Sequence, residues 1–411
     1  MHIRGRGRTT AAAIAALAGL AAADAAQAQA GNAAYQAYFR QACVSATGPL
    51  AALCVASRGG ELSGDSESSL NPNQTAVAGS TSLARAQALA EATERRLEGL
   101  RDGDGPEIPE GRIGFFGSVL GEWSDQDRGP YDNERGFDAD AWRITAGVDW
   151  RLSPTATVGA SLTYSDYNSD FDANLPGNAF TPQADAGGID TEEITITVFG
   201  TLALSDSVWM DASAGVGFTD HRFRRNAVFQ ESNRIIPQTN VQAVGSPDGR
   251  EHHASVGIGW DGQMGALSVG PYARLRYIRS KIDAYTEDDG GVGLALNVSR
   301  SRTTSVTSIL GARASYAISN SWGVLIPQAR VEFEHEFEDD PKTTATRLAL
   351  DPGGNVFTVA NDRPDRNAFN LGAGLLFVLP NGFAPFIDYE GRVGYRDASR
   401  HRVSAGFRAQ F

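Results

Sequence analysis

From residue 112 to the C-terminus, apolar and polar positions alternate with a period of two. In 142–152, Trp142, Ile144, Ala146, Val148, Trp150 and Leu152 share one face, and Arg143, Thr145, Asp149 and Arg151 share the other. In 324–337, Leu325, Val331, Phe333 and Phe337 alternate with Gln328, Arg330, Glu332, Glu334 and Glu336. In 383–396, Phe383, Ile387, Tyr389, Val393 and Tyr395 alternate with Asp388, Glu390, Arg392 and Arg396. In 400–411, Val403, Ala405, Phe407, Ala409 and Phe411 alternate with Arg402, Ser404, Gly406, Arg408 and Gln410. A helix would scatter these charges around its circumference, whereas a strand puts all of them on one face.

The alternation predicts twelve strands, starting near residues 112, 138, 155, 190, 206, 251, 265, 300, 321, 367, 381 and 399. Tight turns at Ser153-Pro154, Ser205-Asp206, Met264-Gly265, Ser319-Asn320 and Pro380-Asn381-Gly382 separate some of them. Long polar stretches at 123–137, 168–189, 224–250, 283–299 and 339–366 separate others, and the last connection, 397–399, is short. Short turns at one end and long loops at the other describe a transmembrane barrel of the outer-membrane type. An even strand count leaves both ends of the barrel on the short-turn, periplasmic side. A soluble sandwich or propeller also alternates, but it does not sort its loops by length in this way. Trp142 and Trp150, eight residues apart on one face, span ~20 Å of membrane depth in a tilted strand, which suits the two rims of the apolar band.

The charged face then points inward. The residues expected to line the lumen are Arg143, Asp149, Arg151, Asp211, Arg274, Arg276, Arg313, Arg330, Glu332, Glu334, Asp388, Glu390, Arg392 and Arg408. With both signs present, this face can form ion pairs across the lumen or give polar walls to a passing chain. A merely solvated lumen is the plainer reading for any one of them.

Before the barrel, residues 80–101 read as one helix. Ser80 to Ser82 offer N-caps, Glu91 and Arg95 form an i,i+4 pair, and Gly103, Gly105 and Pro106 stop the helix. Leu83, Ala86, Ala90, Thr93, Leu97 and Leu100 follow helical spacing, and the first half is rich in Ala. A slim helix of ~20 residues is ~30 Å long, about a membrane thickness. That suggests a plug inside the lumen rather than a periplasmic coiled coil. Upstream, 32–46 and 49–57 look like two short helices carrying Cys43 and Cys54, and 59–79 looks irregular. In an oxidising compartment this pair is expected to form a disulfide.

The first thirty residues are an address. A basic 2–8, an apolar 11–23 too short to span, and Ala28-Gln29-Ala30 form a three-part secretory signal. The expected organisation is a signal peptide over 1–30, a short passenger over 31–79, a linker with the lumen helix over 80–111, and a barrel over 112–411. Beyond the signal no apolar run approaches the ~18 residues of a membrane helix, which leaves a barrel open. The net charge is −13. It becomes −15 after processing, with 33 Lys and Arg against 48 Asp and Glu, because Arg4, Arg6, Arg8 and Asp24 leave. That balance argues against nucleic acid as a partner. Two Cys cannot build a zinc cluster or a disulfide-rich scaffold, and no cofactor is implied.

The order of signal, lumen-length helix and twelve strands resembles the autotransporters of type V secretion. Pro327-Gln-Ala-Arg330-Val-Glu-Phe-Glu-His335-Glu-Phe337 is similar to a strand of that family. So is Gly270-Pro271-Tyr272-Ala-Arg274-Leu-Arg276-Tyr277, followed by the acidic loop Tyr285 to Gly290. The terminal Gly406-Phe407-Arg-Ala-Gln-Phe411 is similar to the family's barrel-assembly signal, with Phe407 and Phe411 as its aromatics. The resemblance implies a monomeric barrel in outer-membrane lipid, assembled by the barrel insertase after chaperoned periplasmic transit. It departs from the family in its passenger, which is far shorter than usual. Some members cut themselves at an Asn in or beside the lumen helix. Residues 80–111 contain none, so the helix is expected to stay attached.

Enzyme candidates are weak. Gly64-Asp65-Ser66 is similar to the opening of GDSL esterases, but no His lies between His2 and His221 to activate the serine. His252 and His253, adjacent on a strand, face opposite ways. Asp102-Gly-Asp104-Gly lacks the remaining ligands of a calcium loop. Three functions compete: a translocator displaying its own short N-terminal module, a structural or narrow-pore barrel with a vestigial passenger, and a surface esterase-like enzyme. The first two differ in whether 31–79 lies outside the cell or in the periplasm.

Overall fold

The computed structural model of the chain describes residues 32–101, 113–127, 135–173, 181–363, 365–380, 382–394 and 398–410. The signal segment, Asp102 to Asp104 and the terminal Phe411 lie outside these residues.

Twelve antiparallel strands close into a barrel. They are β1 Ile113–Gln126, β2 Phe137–Ser153, β3 Ala156–Phe171, β4 Gly187–Ala203, β5 Val208–Phe229 and β6 Asp248–Trp260. The others are β7 Leu267–Ile282, β8 Ser301–Tyr316, β9 Gly323–Glu336, β10 Asn367–Val378, β11 Phe383–Val393 and β12 Ala398–Gln410. Each pairs with its chain neighbour, and β12 pairs with β1 from Gly114↔Gln410 to Gln126↔Ala398, so no edge is left open. Each strand starts within three residues of the position the alternation predicts.

The outer face is apolar and bare. Ile144, Val148, Leu162, Ile194, Ile196, Val198, Ile258, Leu275, Leu310 and Ile387 are all exposed. So are Trp142 and Trp150 at either end of the exposed stretch of β2. A continuous apolar belt of this kind has no place in water and requires lipid. Among the described residues no helix is long and apolar enough to cross a membrane; the barrel crosses with strands.

Among the described residues, four helices precede the barrel: α1 over 32–43, α2 Gly48–Ala56, α3 Gly64–Leu70 and α4 Gln74–Arg101. Two expectations fail here. Residues 59–79 are not irregular, because α3 and the first turns of α4 occupy most of them. Ser63 caps α3 by accepting from the Ser66 N–H at 3.2 Å. The lumen helix starts at Gln74, so Ser80 to Ser82 lie inside it rather than capping it. Ser80 and Thr81 turn their hydroxyls back to the Val77 carbonyl, at 2.9 and 3.0 Å.

The long connections also hold more structure than their polarity suggests. Tyr285–Thr286, Leu296–Val298, Thr343–Leu348 and Phe357–Ala360 form a separate four-stranded sheet at the long-loop end. β5 runs past the barrel to Phe229 and pairs there with Thr239–Gly245. These pieces make a platform above one side of the lumen.

Candidate functional site

The lumen holds α4, which enters at the long-loop end and finishes near the start of β1. At the upper end Val77 and Ala78 pack among Phe137, Phe171, Ile189, Phe223 and Ile282. At the lower end Leu97 packs on Phe116 and Phe199. Gly99 lies where a Cβ would stand 1.8 Å from the Arg408 guanidinium, so a larger residue there would push that side chain aside.

Between these ends the contacts are ionic. Arg85 reaches Glu193 on β4 at 2.7 Å and Glu251 on β6 at 3.1 Å. Glu91 meets Arg402 and, at 3.5 Å, Arg400 on β12, and Arg276 on β7 at 3.2 Å. Glu94 takes Arg276 at 2.6 Å and Arg274 at 3.2 Å. Arg95 meets Asp388 and, at 2.5 Å, Glu390 on β11; Arg96 meets Asp149 on β2; Glu98 lies 3.6 Å from Arg330 on β9. The expected Glu91–Arg95 pair therefore does not form. Each of the two side chains meets an opposite charge on the barrel wall instead.

The order of signs matters. Down the helix it runs plus at 85, minus at 91 and 94, plus at 95 and 96, minus at 98. The facing wall runs minus, plus, minus, plus. A shift of one helical turn, ~5.4 Å, would set like charges together in a site where Arg85, Glu94, Arg274 and Arg276 are buried. Breaking a buried pair leaves an uncompensated charge, which costs far more than the pair contributes. The network thus specifies one register for the helix.

Of the residues expected to line the lumen, Arg143, Asp149, Asp211, Arg274, Arg276, Glu332, Glu334, Glu390 and Arg408 are buried. Arg143 meets Glu122, Arg274 also holds Asp211 at 2.9 Å, Arg313 holds Asp261 at 2.8 Å, and Arg392 meets Glu334. Tyr272 donates to Glu332 at 2.6 Å. Arg151 donates to the Pro154 carbonyl at the lower rim, and Arg408 lies over the Phe386 ring. Phe407 faces outward and stacks on Phe383. His253 faces the lumen and His252 the outside.

Above the lumen, α1–α3 form a cap. A disulfide joins Cys43 and Cys54 and so ties α1 to α2. Tyr35, Tyr38, Phe39, Leu50, Leu62 and Leu70 share one core with Phe229, Val241, Leu294, Leu296, Val298 and Leu348 of the platform. Tyr38 accepts the Leu348 N–H at 2.7 Å, and burial pushes its hydroxyl up to about 12, so it is neutral at physiological pH. Ser66 donates to the Val228 carbonyl and accepts the Gln230 N–H, and it is buried. Its oxygen fastens α3 to the top of β5.

The acidic loop organises the platform from below. Glu287 is gripped by Arg225 at 2.6 Å, and Asp289 accepts the Gly293 and Leu294 N–H groups. Gly293, at φ +100°, holds its backbone against α2, where a Cβ would stand 2.6 Å from the Leu50 nitrogen. Gly293→Ala is expected to loosen the cap by about 1–2 kcal/mol, from the left-handed backbone alone. Hydrogen exchange over 48–56 should speed up by roughly tenfold; unchanged exchange would refute the close approach.

A closed barrel with a lipid-facing exterior and its own N-terminal helix in the lumen is an outer-membrane barrel of the translocator class. Residues 115–390 match the model of the autotransporter beta-domain, and the chain belongs to that family. Among solved structures, the translocator domain of NalP from Neisseria meningitidis is similar at 14% identity and a TM-score of 0.58. That match covers 82% of this chain and 99% of that one. The beta domain of the Bordetella autotransporter BrkA matches at 13% identity and a TM-score of 0.47, over 73% and 100% of the two chains. The transport unit of AIDA-I from Escherichia coli matches at 10% and 0.46, over 72% and 90%. The likeness to NalP is one of fold. No curated protein matches the chain.

Proposed function

We propose that this translocator carries its own short N-terminal segment to the cell surface and keeps it there as a docked cap. The supporting observation is the shared core: α1–α3 complete a hydrophobic centre whose other half belongs to the long-loop platform. A module of about forty residues is too small to bury much surface alone, so docking is what gives it a core. The chain is anchored by α4 to the lumen wall, and 80–111 has no Asn for self-cleavage. We read the protein as a display device rather than an enzyme, since the Ser66 hydroxyl is consumed by backbone contacts. Its partners are outer-membrane lipid and, on the family resemblance, the barrel insertase and periplasmic chaperones.

The test is protease shaving of intact cells with a tag inserted after Gly31. The tagged protein should run as residues 31–411 before digestion and lose its tag on shaving while the barrel persists. Protection in intact cells, with loss only after outer-membrane permeabilisation, would place the module in the periplasm and overturn the reading. The narrow-pore alternative draws on a cavity of about 220 Å³ beside α4, lined in part by Leu83, Gln87, Thr307 and Glu336. A steady single-channel current from the intact protein in planar bilayers would favour it.

A further inference from the structure

The outer wall of β5 to β8 carries a compact group of cations at the upper edge of the apolar belt. The register sets Phe218 opposite Arg250, Arg250 opposite Lys281, and Lys281 opposite Arg302, in one row across four strands. In the next row toward the membrane, His252 lies opposite Arg279. All these side chains are on the outer face. At ~4.8 Å between strands, three cations fall within ~10 Å of one another.

Like charges directly opposite on a sheet repel and destabilise the pairing. The chain offsets only part of this. Asp283 takes Lys281 at 2.7 Å and Arg300 at 3.3 Å. Asp220 and Asp248 face each other at the loop-side margin. Arg250 lies over the Phe218 ring, 5.2 Å from its centroid. Among the described residues, no carboxylate lies within ion-pair distance of Arg250, Arg279 or Arg302. In a protein of charge −13, whose lumen arginines such as Arg85, Arg274 and Arg276 are paired with carboxylates, three exposed outward arginines without a counter-ion call for one from outside.

Their position says where it comes from. Immediately below the cations the outer face turns apolar, through Tyr277, Val256, Leu275, Ile258 and Leu310. A ligand with acyl chains on that belt would bring its head group to the arginines. The shallow cavity between them holds about 490 Å³; Arg250, His252, Arg279, Lys281 and Arg302 line it above Phe218, and Asp220, Asp248 and Asp283 line its loop-side rim. The sector formed by β2–β4 is the reverse: Asp138, Asp140, Asp170 and Glu192 are exposed beyond Trp142. We propose that the outer faces of β5–β8 form a binding site for the anionic, phosphate-bearing head group of an outer-leaflet lipid. This site is independent of where the cap lies.

The test uses the full processed chain, folded in a zwitterionic detergent and examined by native mass spectrometry. The probes are diphosphorylated lipid A, the same lipid A stripped of its phosphates, and inorganic pyrophosphate. The variant is Arg250→Gln/Arg279→Gln/Arg302→Gln, with Arg58→Gln in the cap as a control and heat-modifiable migration on gels as the check of folding. Diphosphorylated lipid A should bind the wild type and the control alike, and bind the triple variant about 100-fold more weakly, from roughly fivefold per cation. If the triple variant misfolds, Arg279→Gln alone should weaken binding about fivefold. Equal binding of the phosphate-free lipid, or undiminished binding to a folded variant, would overturn the site. Pyrophosphate binding as tightly as the lipid would overturn the lipid assignment in favour of a soluble anion.

Discussion

Arg276→Met is expected to release α4 from the lumen wall while leaving the barrel intact. Arg276 is the centre of the ionic network, with Glu94 at 3.1 and 2.6 Å, Glu91 at 3.2 Å and Glu334 at 3.4 Å. Its side chain is only 1% exposed. Methionine keeps the length and removes the charge, so three buried carboxylates lose a shared partner. Removing one member of a buried pair costs ~3–5 kcal/mol. Here each carboxylate retains a second cation: Arg274 for Glu94, Arg402 for Glu91 and Arg392 for Glu334. The lower figure, about 3 kcal/mol, is therefore the expected one. It should appear as hydrogen exchange of the α4 amides roughly 100-fold faster, with heat-modifiable migration of the barrel preserved. Arg276→Met/Glu94→Gln should recover part of the loss, because it removes one of the stranded charges. Exchange in α4 that is indifferent to Arg276→Met would show that packing at the two ends of the helix, and not the charge network, holds it.

Phe39→Ala should undock the cap. Phe39 is fully buried and lies 6.2 Å from the Phe229 ring, between the N-terminal module and the top of β5. Truncating a buried Phe costs ~3–5 kcal/mol. The Cys43–Cys54 loop contributes ~2–3 kcal/mol by chain entropy, but it ties α1 only to α2 and not to the platform. The disulfide therefore cannot replace the lost contact. The expected result is a folded barrel whose residues 32–70 are cut by protease at rates typical of an open chain, while α4 remains protected. A cap as resistant as the wild type would mean that the serine contacts of α3 with Val228 and Gln230 hold it instead, and Ser66→Ala would then become the decisive variant.

Much of the fold is legible from the sequence, and the reason is local. A barrel strand faces lipid on one side and a polar lumen on the other, so every second residue reports its environment. Trp142, Ile144 and Val148 against Arg143 and Asp149 suffice to assign both faces of β2 without reference to any other strand. The Cys43–Cys54 pairing is equally local. The four-stranded platform was less visible, because Thr343–Leu348 and Phe357–Ala360 are short and lie among polar residues. The true start of α4 was hidden by the Ser and Asn of 59–79. Those residues suggest a loop until Ser66 and Ser69 meet the backbone of β5. The sequence of α4 carries charges at 85, 91, 94, 95, 96 and 98, around most of its circumference, which indicates a helix surrounded by polar walls rather than one with a single apolar stripe.

By itself the sequence determined the number of barrel strands, the two faces of the alternating ones and the presence of a slim helix before the barrel, because periodicity is set by each residue and its immediate neighbours. Only the tertiary structure decided that Glu91 turns from Arg95 to Arg276 and Arg402, and that Tyr38 and Phe39 find their core on the platform. Those partners lie hundreds of residues away in the chain. Their meeting depends on the register of closure and the depth of the helix, which no local pattern encodes.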